Sequence, residues 1–187
     1  ALYRYGSAGG SPAIRGHRKR VRDRLSAAMA QNPDVLESNG ESKPVIAHFP
    51  RALDLGERGL VAGLSRALSR VATELTWEYG YEKVPKGLVT NYAYAEIAGP
   101  QGPICTKEII LGVVLFGPSC TYPAHAHKGI TESYVCLSGS VSENHQGVYV
   151  PGSMIFNPPE HLHRITVSDR GPALLAYAWL GNEDDLT

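Results

Sequence analysis

From about residue 86 onward, the sequence is a series of short apolar segments separated by turns rich in glycine and proline. The segments are LVTNYAYAEI, EIILGVVLF, ITESYVCL, SVSENHQGVYV, SMIFNP, HRITV and ALLAYAWL. Short strands at this spacing are typical of an antiparallel sandwich or barrel. No longer period repeats, which argues against a solenoid or a propeller. The predicted fold class is therefore mainly β.

The part of the chain before this series has a helical pattern. We predict two units: a helical N-terminal extension over residues 1–85, packed on the barrel, and a β-barrel over residues 86–187. Ser11 and Pro12 form a helix start signal, and Pro33 marks the stop. A second helix is predicted within LDLGERGLVAGLSRALSRVATELTWEYG, where apolar residues recur at three- or four-residue steps. Those apolar residues are Leu60, Leu64, Leu68, Val71 and Leu75.

The composition limits the partners that the chain can have. Its 18 basic and 18 acidic residues balance, so no net charge favours nucleic acid or an anionic membrane as a partner. No apolar run approaches the roughly 20 residues of a membrane helix. The 3 cysteines form no paired motif and indicate a reducing compartment, so we expect a cytoplasmic protein. A small-molecule substrate is the expected partner.

Histidines are concentrated in the predicted β-barrel. His125 and His127 are two residues apart, so in a strand both side chains point to the same face. A lone histidine in a strand is rarely a metal ligand, but a second pair, His161 and His163, lies nearby. Glu132 adds a carboxylate between the pairs. Imidazole and carboxylate donors suit Zn, Fe(II), Mn, Ni or Co, so the donor set alone does not identify the metal.

The spacing of these residues resembles the motifs of the cupin superfamily. Two histidines, a spacer of four residues, a glutamate, a spacer of six residues and a glycine match the first motif. The second motif is matched at Gly152, Pro158 and His163, with Glu160 in place of its second glycine. The resemblance implies a double-stranded β-helix (jelly-roll) barrel that holds one divalent metal ion. The ligands it implies are His125, His127, Glu132 and His163, with His161 as an alternative to His163.

Cupins often pair through edge strands, so a homodimer is one expectation. The helical extension could equally cover such an edge.

A tyrosine follows the implied glutamate ligand on the same face. Tyr134 lies two residues after Glu132, so its phenol is expected beside the metal. A nearby cation favours the phenolate, and a phenolate could act as a general base next to a substrate carboxylate. Tyr122 precedes His125 by three residues and is a candidate for a second acid or base.

A narrower resemblance rests on HAHKGITESYVCLSGSV, PPEHLHR, the closing AYAWLG and the helical extension. Together they resemble the cupin-type dimethylsulfoniopropionate (DMSP) lyases of marine bacteria. This resemblance implies a carbon–sulfur lyase that forms dimethyl sulfide and acrylate by β-elimination. Aromatic faces suit a sulfonium cation, and the candidates are Tyr122, Tyr177 and Trp179. Two alternatives stay open: an Fe(II)-dependent cupin dioxygenase and a non-catalytic cupin that binds a small ligand.

Overall fold

The computed structural model of the chain describes residues 11–37 and 40–186. The α-helices are α1 (Pro12–Ala30), α2 (Phe49–Glu57) and α3 (Ala62–Ser69), with short 3-10 helices at Pro44–His48, Ala72–Glu74 and Glu183–Asp185. The strands are β1 (Tyr92–Gly99), β2 (Ile104–Cys105), β3 (Ile110–Phe116), β4 (Thr121–His125), β5 (Thr131–Ser138), β6 (Val141–Glu143), β7 (Met154–Asn157), β8 (His163–Val167) and β9 (Ala173–Leu180). No described helix is both long enough and apolar enough to cross a lipid bilayer.

The strands form two sheets that enclose a common core. The larger sheet has the order β2-β1-β3-β9-β5-β7, and the smaller has the order β4-β8-β6. Neighbours that are distant in sequence, such as β3 and β9, give the sheets their jelly-roll connectivity. Ile165 and Val167 of the smaller sheet share one buried cluster with Phe116 and Leu175 of the larger sheet. The predicted mainly β, cupin-type fold with an N-terminal helical extension is confirmed.

The helices α2 and α3 cover the outer face of the larger sheet. Phe49 of α2 and Leu68 of α3 lie in a second buried cluster with Ala95, Leu115 and Leu137 from the strands. These strand residues alternate with the inward-facing ones, as the two-residue period of a strand requires. The helices α2 and α3 thus cover the outer wall of the barrel, whereas the end of the extension reaches the cavity, which Gly80 lines.

The first helix occurs where the sequence predicts it. The Oγ of Ser11 accepts a hydrogen bond from the backbone N–H of Ile14, which caps the helix as expected for a serine N-cap. Val21 packs with Ile109 and Ala178 on the outer face of the sheet.

The second helix was predicted as one element, and this prediction is wrong. The structure has two short helices, α2 and α3, and no α-helix beyond Ser69 among the described residues. The two helices pack closely, since a Cβ placed on Gly56 would collide with the side chain of Ser65. Leu60, in the break between them, is 90% exposed. Leu75 is buried, but it lies after the helices and not on a continuous helical face.

The strand prediction also needs two corrections. The predicted strands leave a turn before His125, whereas this segment forms β4 and pairs with β8. The segment 140–150 was read as one strand, whereas β6 ends at Glu143. Asn144 and His145 then adopt left-handed backbone conformations, which end an extended strand.

Candidate metal and substrate site

Four side chains from three strands and a turn meet at one end of the barrel. His125 ends β4, His127 follows in the turn, Glu132 lies in β5 and His163 begins β8. Their donor atoms all lie within 4.8 Å of one another. Pairing of β4 with β8 places His125 directly opposite His163. The structure thus brings together the four residues that the cupin resemblance implies, although His127 lies outside the strand in which it was expected.

Backbone carbonyls orient two of the imidazoles. The Nδ1 atom of His125 lies 3.0 Å from the carbonyl oxygen of Pro123, and that of His163 lies 2.9 Å from the carbonyl oxygen of His161. A ring that donates from Nδ1 leaves Nε2 free to bind a metal, as in many metal sites. The side chain of His161 is exposed and lies outside the cluster. It offers the cluster its carbonyl and not its imidazole.

The carboxylate of Glu132 is buried and held from several sides. Its Oε1 accepts a hydrogen bond of 2.7 Å from the indole Nε1 of Trp179, and its Oε2 accepts one of 3.3 Å from Asn157. The Nε2 of His163 lies 3.0 Å from Oε2. Burial by itself would raise the pKa of Glu132, but hydrogen bonding and charge from His163 outweigh it and hold the pKa at about 2. The carboxylate is therefore ionised at neutral pH.

The donor set fits a divalent metal ion. Burial lowers the pKa of His125 to about 4 and also lowers that of His127, so both rings are neutral near pH 7. Burial also acts to lower the pKa of His163, but the hydrogen bond and negative charge of Glu132 outweigh it and raise that pKa, so His163 loses its proton when a metal binds. Neutral imidazoles and an ionised carboxylate are the forms that bind metals. The Nε2 of His127 is buried without a hydrogen-bond partner among the described residues. Such an orphaned atom beside three other donors is accounted for if it binds a metal.

A cavity of about 240 Å³ opens beside this cluster. Aromatic side chains supply much of its wall, including all four that sequence reasoning singled out: Tyr122, Tyr134, Tyr177 and Trp179. Tyr134 is buried. Burial first, and then the neighbouring carboxylate of Glu132, raise its pKa well above the usual value. Without an added positive charge, this phenol is protonated.

Tyr122 lies at another side of the cavity. Its ring is half-buried and meets the ring of His125 edge to face, with 4.8 Å between centroids. Its hydroxyl lies 3.3 Å from the hydroxyl of Tyr92. Tyr122 is therefore held in an aromatic group at the wall and is hydrogen bonded to a second phenol.

Trp179 and Tyr177 lie side by side on β9 but face different neighbours. The ring of Trp179 contacts the ring of His127 in a tilted arrangement, with 4.4 Å between centroids. Its indole N–H donates a hydrogen bond to Glu132, so Trp179 supports the donor cluster in addition to lining the cavity. The ring of Tyr177 crosses Gly112 so closely that a Cβ at that glycine would collide with the phenol.

Sequence reasoning missed three cavity residues in β1. Tyr92, Tyr94 and Glu96 alternate along the strand and all line the cavity. The signal was present in YAYAE, where tyrosines and a glutamate alternate with alanines. The alanines Ala93 and Ala95 are buried under the helices on the opposite face. A pattern with small residues on one face and large polar aromatic residues on the other indicates a strand between a packed layer and a cavity.

His17 lies far along the chain from the other candidate histidines, and the structure gives it a role in packing. It is buried in α1, and its Nε2 lies 2.8 Å from the Oγ of Ser133. Ser133 lies between Glu132 and Tyr134 on the outer face of β5. The first helix is thus bound to the outside of the strand that carries the site.

Comparison with known proteins identifies relatives of the whole chain. The family model described as dimethylsulfoniopropionate lyase matches residues 17–175. A curated protein of Cereibacter sphaeroides, named putative dimethylsulfoniopropionate lyase DddL, is 61% identical over 186 residues, which cover 100% of this chain and 80% of the relative.

Two solved structures share the fold at low sequence identity. A structure described under DMSP lyases RdDddP and RnDddQII is 23% identical with a TM-score of 0.68, covering 88% of this chain and 93% of the other. The DMSP lyase DddQ from Ruegeria pomeroyi DSS-3 is 17% identical with a TM-score of 0.63, covering 87% and 92%.

Proposed function

The chain belongs to the dimethylsulfoniopropionate lyase family of carbon–sulfur lyases, and we propose that it cleaves DMSP to dimethyl sulfide and acrylate by a metal-dependent β-elimination. The observation that carries the proposed mechanism is the position of Tyr134. Its phenol lines the cavity and faces the carboxylate of Glu132, which belongs to the four-residue donor cluster.

His125, His127, Glu132 and His163 would hold one divalent metal ion. When bound, this ion would supply a Lewis acid for the substrate carboxylate and positive charge that favours the phenolate of Tyr134. Trp179 and Asn157 hold the carboxylate of Glu132 in place through their hydrogen bonds. Zn, Fe(II), Mn, Ni and Co all suit these donors.

Tyr134 would act as the general base. Its phenolate oxygen would remove a proton from the carbon next to the substrate carboxylate. The electron pair of that C–H bond forms the carbon–carbon double bond of acrylate as the C–S bond breaks. The sulfur keeps the electrons of the C–S bond and leaves as neutral dimethyl sulfide. Tyr134 then releases the proton to solvent, which restores the base.

The buried wall around the phenol supports this role. Tyr134 would be shielded from bulk solvent while the substrate fills the cavity, and the reaction requires no water as a nucleophile. Tyr122 is a candidate for a second acid or base, and its hydrogen bond to Tyr92 connects it to the cavity wall. We assign the proton abstraction to Tyr134 because it contacts the cluster carboxylate, whereas the hydroxyl of Tyr122 is bound to another phenol.

The test is a comparison of Tyr134→Phe with Tyr122→Phe. Both variants remove one phenolic oxygen from the cavity, so each is the matched control of the other. Loss of a general base should lower kcat of Tyr134→Phe by about a hundredfold or more, with metal content unchanged. Retention of most activity by Tyr134→Phe would refute its role as the base. A large loss in Tyr122→Phe alone would move that role to Tyr122.

A headspace measurement separates the lyase from the oxygen-dependent alternative. The protein is mixed with DMSP in aerobic and in anaerobic buffer, and dimethyl sulfide is measured by gas chromatography. A lyase releases the same amount of dimethyl sulfide in both buffers, because the elimination does not consume oxygen. No release with any of Zn, Fe, Mn, Ni and Co would refute the proposed function.

A further inference from the structure

The cavity has a second carboxylate at the end away from the imidazoles. Glu96 lies in β1, whereas the cluster carboxylate of Glu132 lies in β5, and strands β3 and β9 separate the two. Adjacent strands are about 4.8 Å apart, so the two backbones are about 14 Å apart across the sheet. Both side chains line the same cavity. The cavity therefore has acidic groups at both ends, and only one of them belongs to the donor cluster.

One row of residues across the sheet connects the two ends. Glu96 is paired with Gly112, Gly112 with Tyr177, and Tyr177 with Tyr134. Directly paired residues in adjacent strands face the same side of the sheet. Gly112 has no side chain, so the phenol of Tyr177 crosses above it in the direction of Glu96. The floor of the cavity thus runs from the proposed base, over an aromatic ring, to the second carboxylate.

The protein holds Glu96 in a fixed orientation. Its Oε1 accepts two backbone hydrogen bonds of 2.8 Å each, from the N–H groups of Gln101 and Gly102. Burial raises the pKa of Glu96, and these two hydrogen bonds act in the opposite direction. No described lysine, arginine or histidine forms an ion pair with this carboxylate. A half-buried carboxylate without a protein cation next to an aromatic wall is suited to a cationic ligand.

The other acidic residue that lines the cavity is engaged elsewhere. Asp185 accepts a hydrogen bond of 3.1 Å from the backbone N–H of Asn182 and contacts the turn at Gly129. That turn joins His127 to Glu132, so Asp185 lies near the cluster end of the cavity. Glu96 is the acidic residue at the opposite end.

We propose that Glu96 is the specificity-determining residue for the charge of the substrate. It would face the sulfonium group of a zwitterion whose carboxylate lies at the His125, His127, Glu132 and His163 end, with the ring of Tyr177 between. This inference rests on the proposed function, since it assigns an orientation to the proposed substrate. It predicts that the site selects carboxylates with a compact, permanently charged cationic group at the β position over carboxylates with a neutral group of the same shape there.

The test uses a pair of non-sulfonium ligands that differ in charge alone. The first ligand is 3-(trimethylammonio)propionate, a zwitterion with a cationic ammonium group. The second is its isostere 4,4-dimethylpentanoate, an anion in which a neutral tert-butyl group replaces the ammonium group. Both are titrated by NMR against the Zn²⁺-supplied protein and against Glu96→Gln. Glutamine can still accept the hydrogen bonds from Gln101 and Gly102, so this variant removes the charge and keeps the turn.

We expect Glu96→Gln to weaken binding of 3-(trimethylammonio)propionate about tenfold or more, because the variant removes a close, partly buried charge. The affinity for 4,4-dimethylpentanoate should change by less than about twofold. Glu108→Gln is the matched control, since Glu108 is a half-buried carboxylate that does not line the cavity and accepts its hydrogen bonds from Arg24 and Gln31. That variant should change both affinities by less than about twofold. Equal losses for both ligands in Glu96→Gln would indicate a structural role and overturn the proposal. So would an unchanged affinity for 3-(trimethylammonio)propionate, no binding of that ligand by the parent protein, or charge selectivity lost in Asp185→Asn instead.

Turnover separates this inference from the proposed function. If the parent protein releases dimethyl sulfide, Glu96→Gln should raise KM for DMSP about tenfold, whereas Tyr134→Phe lowers kcat. If the parent releases none, the proposed function fails, and the ligand pair still reports whether Glu96 selects a cation. Release of dimethyl sulfide with an unchanged KM in Glu96→Gln overturns the inference alone.

Discussion

The indole N–H of Trp179 donates a 2.7 Å hydrogen bond to Oε1 of Glu132, so a cavity aromatic holds a residue of the donor cluster. The two residues are paired across β9 and β5. Hydrogen bonds to ligating carboxylates fix their orientation, and their loss typically lowers metal affinity about 10- to 100-fold. The role of Trp179 therefore extends beyond the sulfonium contact predicted from the sequence.

Trp179→Phe should lower metal affinity about tenfold, because phenylalanine keeps an aromatic ring beside His127 but cannot donate to Glu132. The measurement is competition for Zn²⁺ with a chromophoric chelator. The control is Trp77→Phe, since Trp77 is buried on the outer face of the sheet, away from the cluster. An unchanged affinity in Trp179→Phe would show that the hydrogen bond has no part in metal binding.

Metal binding should stabilise the fold, because the four donors come together only in the folded chain. A ligand present at about 100 times its Kd stabilises the protein by about 2.7 kcal/mol. We therefore expect Zn²⁺ to raise the Tm of the parent protein. The pair His163→Gln and His161→Gln tests which imidazole is used, since the two residues are two positions apart but only His163 lies in the cluster.

The shift in Tm on addition of Zn²⁺ should be much smaller in His163→Gln and retained in His161→Gln. Each variant is compared with itself with and without metal, so a loss of stability from the substitution does not affect the result. The opposite pattern would assign the site to His161. Removal of the metal from the parent protein with a chelator should abolish release of dimethyl sulfide.

The sequence predicted the donor cluster well because its members lie close along the chain. His125, His127 and Glu132 lie within one β-turn-β segment, so strand periodicity and turn spacing place them together. The motif spacing added His163 and favoured it over His161, and the structure places only His163 in the cluster. Glu96 was missed because its closeness to Tyr177 depends on the order β1-β3-β9, which periodicity cannot supply.

The helical extension was predicted less well for a related reason. Leucines at helical spacing predicted one long helix, but the chain breaks between α2 and α3 so that both can pack on a curved sheet. Packing of the two short helices, with Gly56 against Ser65, decides the break. The homodimer and the cytoplasmic location stay predictions.

Glu160 has a left-handed backbone, with φ of 63°, at the position where the cupin motif has glycine. Side chains with a Cβ are disfavoured there by about 1–2 kcal/mol, whereas glycine is not. Glu160→Gly should therefore raise the free energy of unfolding by about 0.5–1 kcal/mol after the entropy cost of glycine. Urea denaturation measures this change. Glu160→Ala is the control, because it removes the carboxylate but keeps the Cβ, and it should give no gain. Equal gains in both variants would attribute the effect to the side chain and not to the backbone.

The buried His17 should make the fold sensitive to acid. Burial, and to a lesser extent the charge of Arg20, lower its pKa to about 4 in the folded protein, against 6.5 for a free histidine. The folded state thus binds fewer protons than the unfolded state between these values. The stability that neutral His17 contributes is complete above pH 6.5 and is lost as the pH falls toward 4, by about 3 kcal/mol at most.

His17→Gln should flatten this part of the pH dependence, because glutamine can still hydrogen bond to Ser133 but does not titrate. The measurement is the free energy of unfolding by urea at pH 7, 6, 5 and 4 for the parent and the variant. The difference between the parent and the variant in the pH dependence of the unfolding free energy isolates the contribution of His17 from that of the other histidines. His145→Asn is the control, since His145 is exposed and asparagine tolerates its left-handed backbone. If the unfolding free energy of His17→Gln falls as steeply with pH as that of the parent, acid acts through other groups. A flatter pH dependence in this variant alone assigns the acid sensitivity to the contact between α1 and β5.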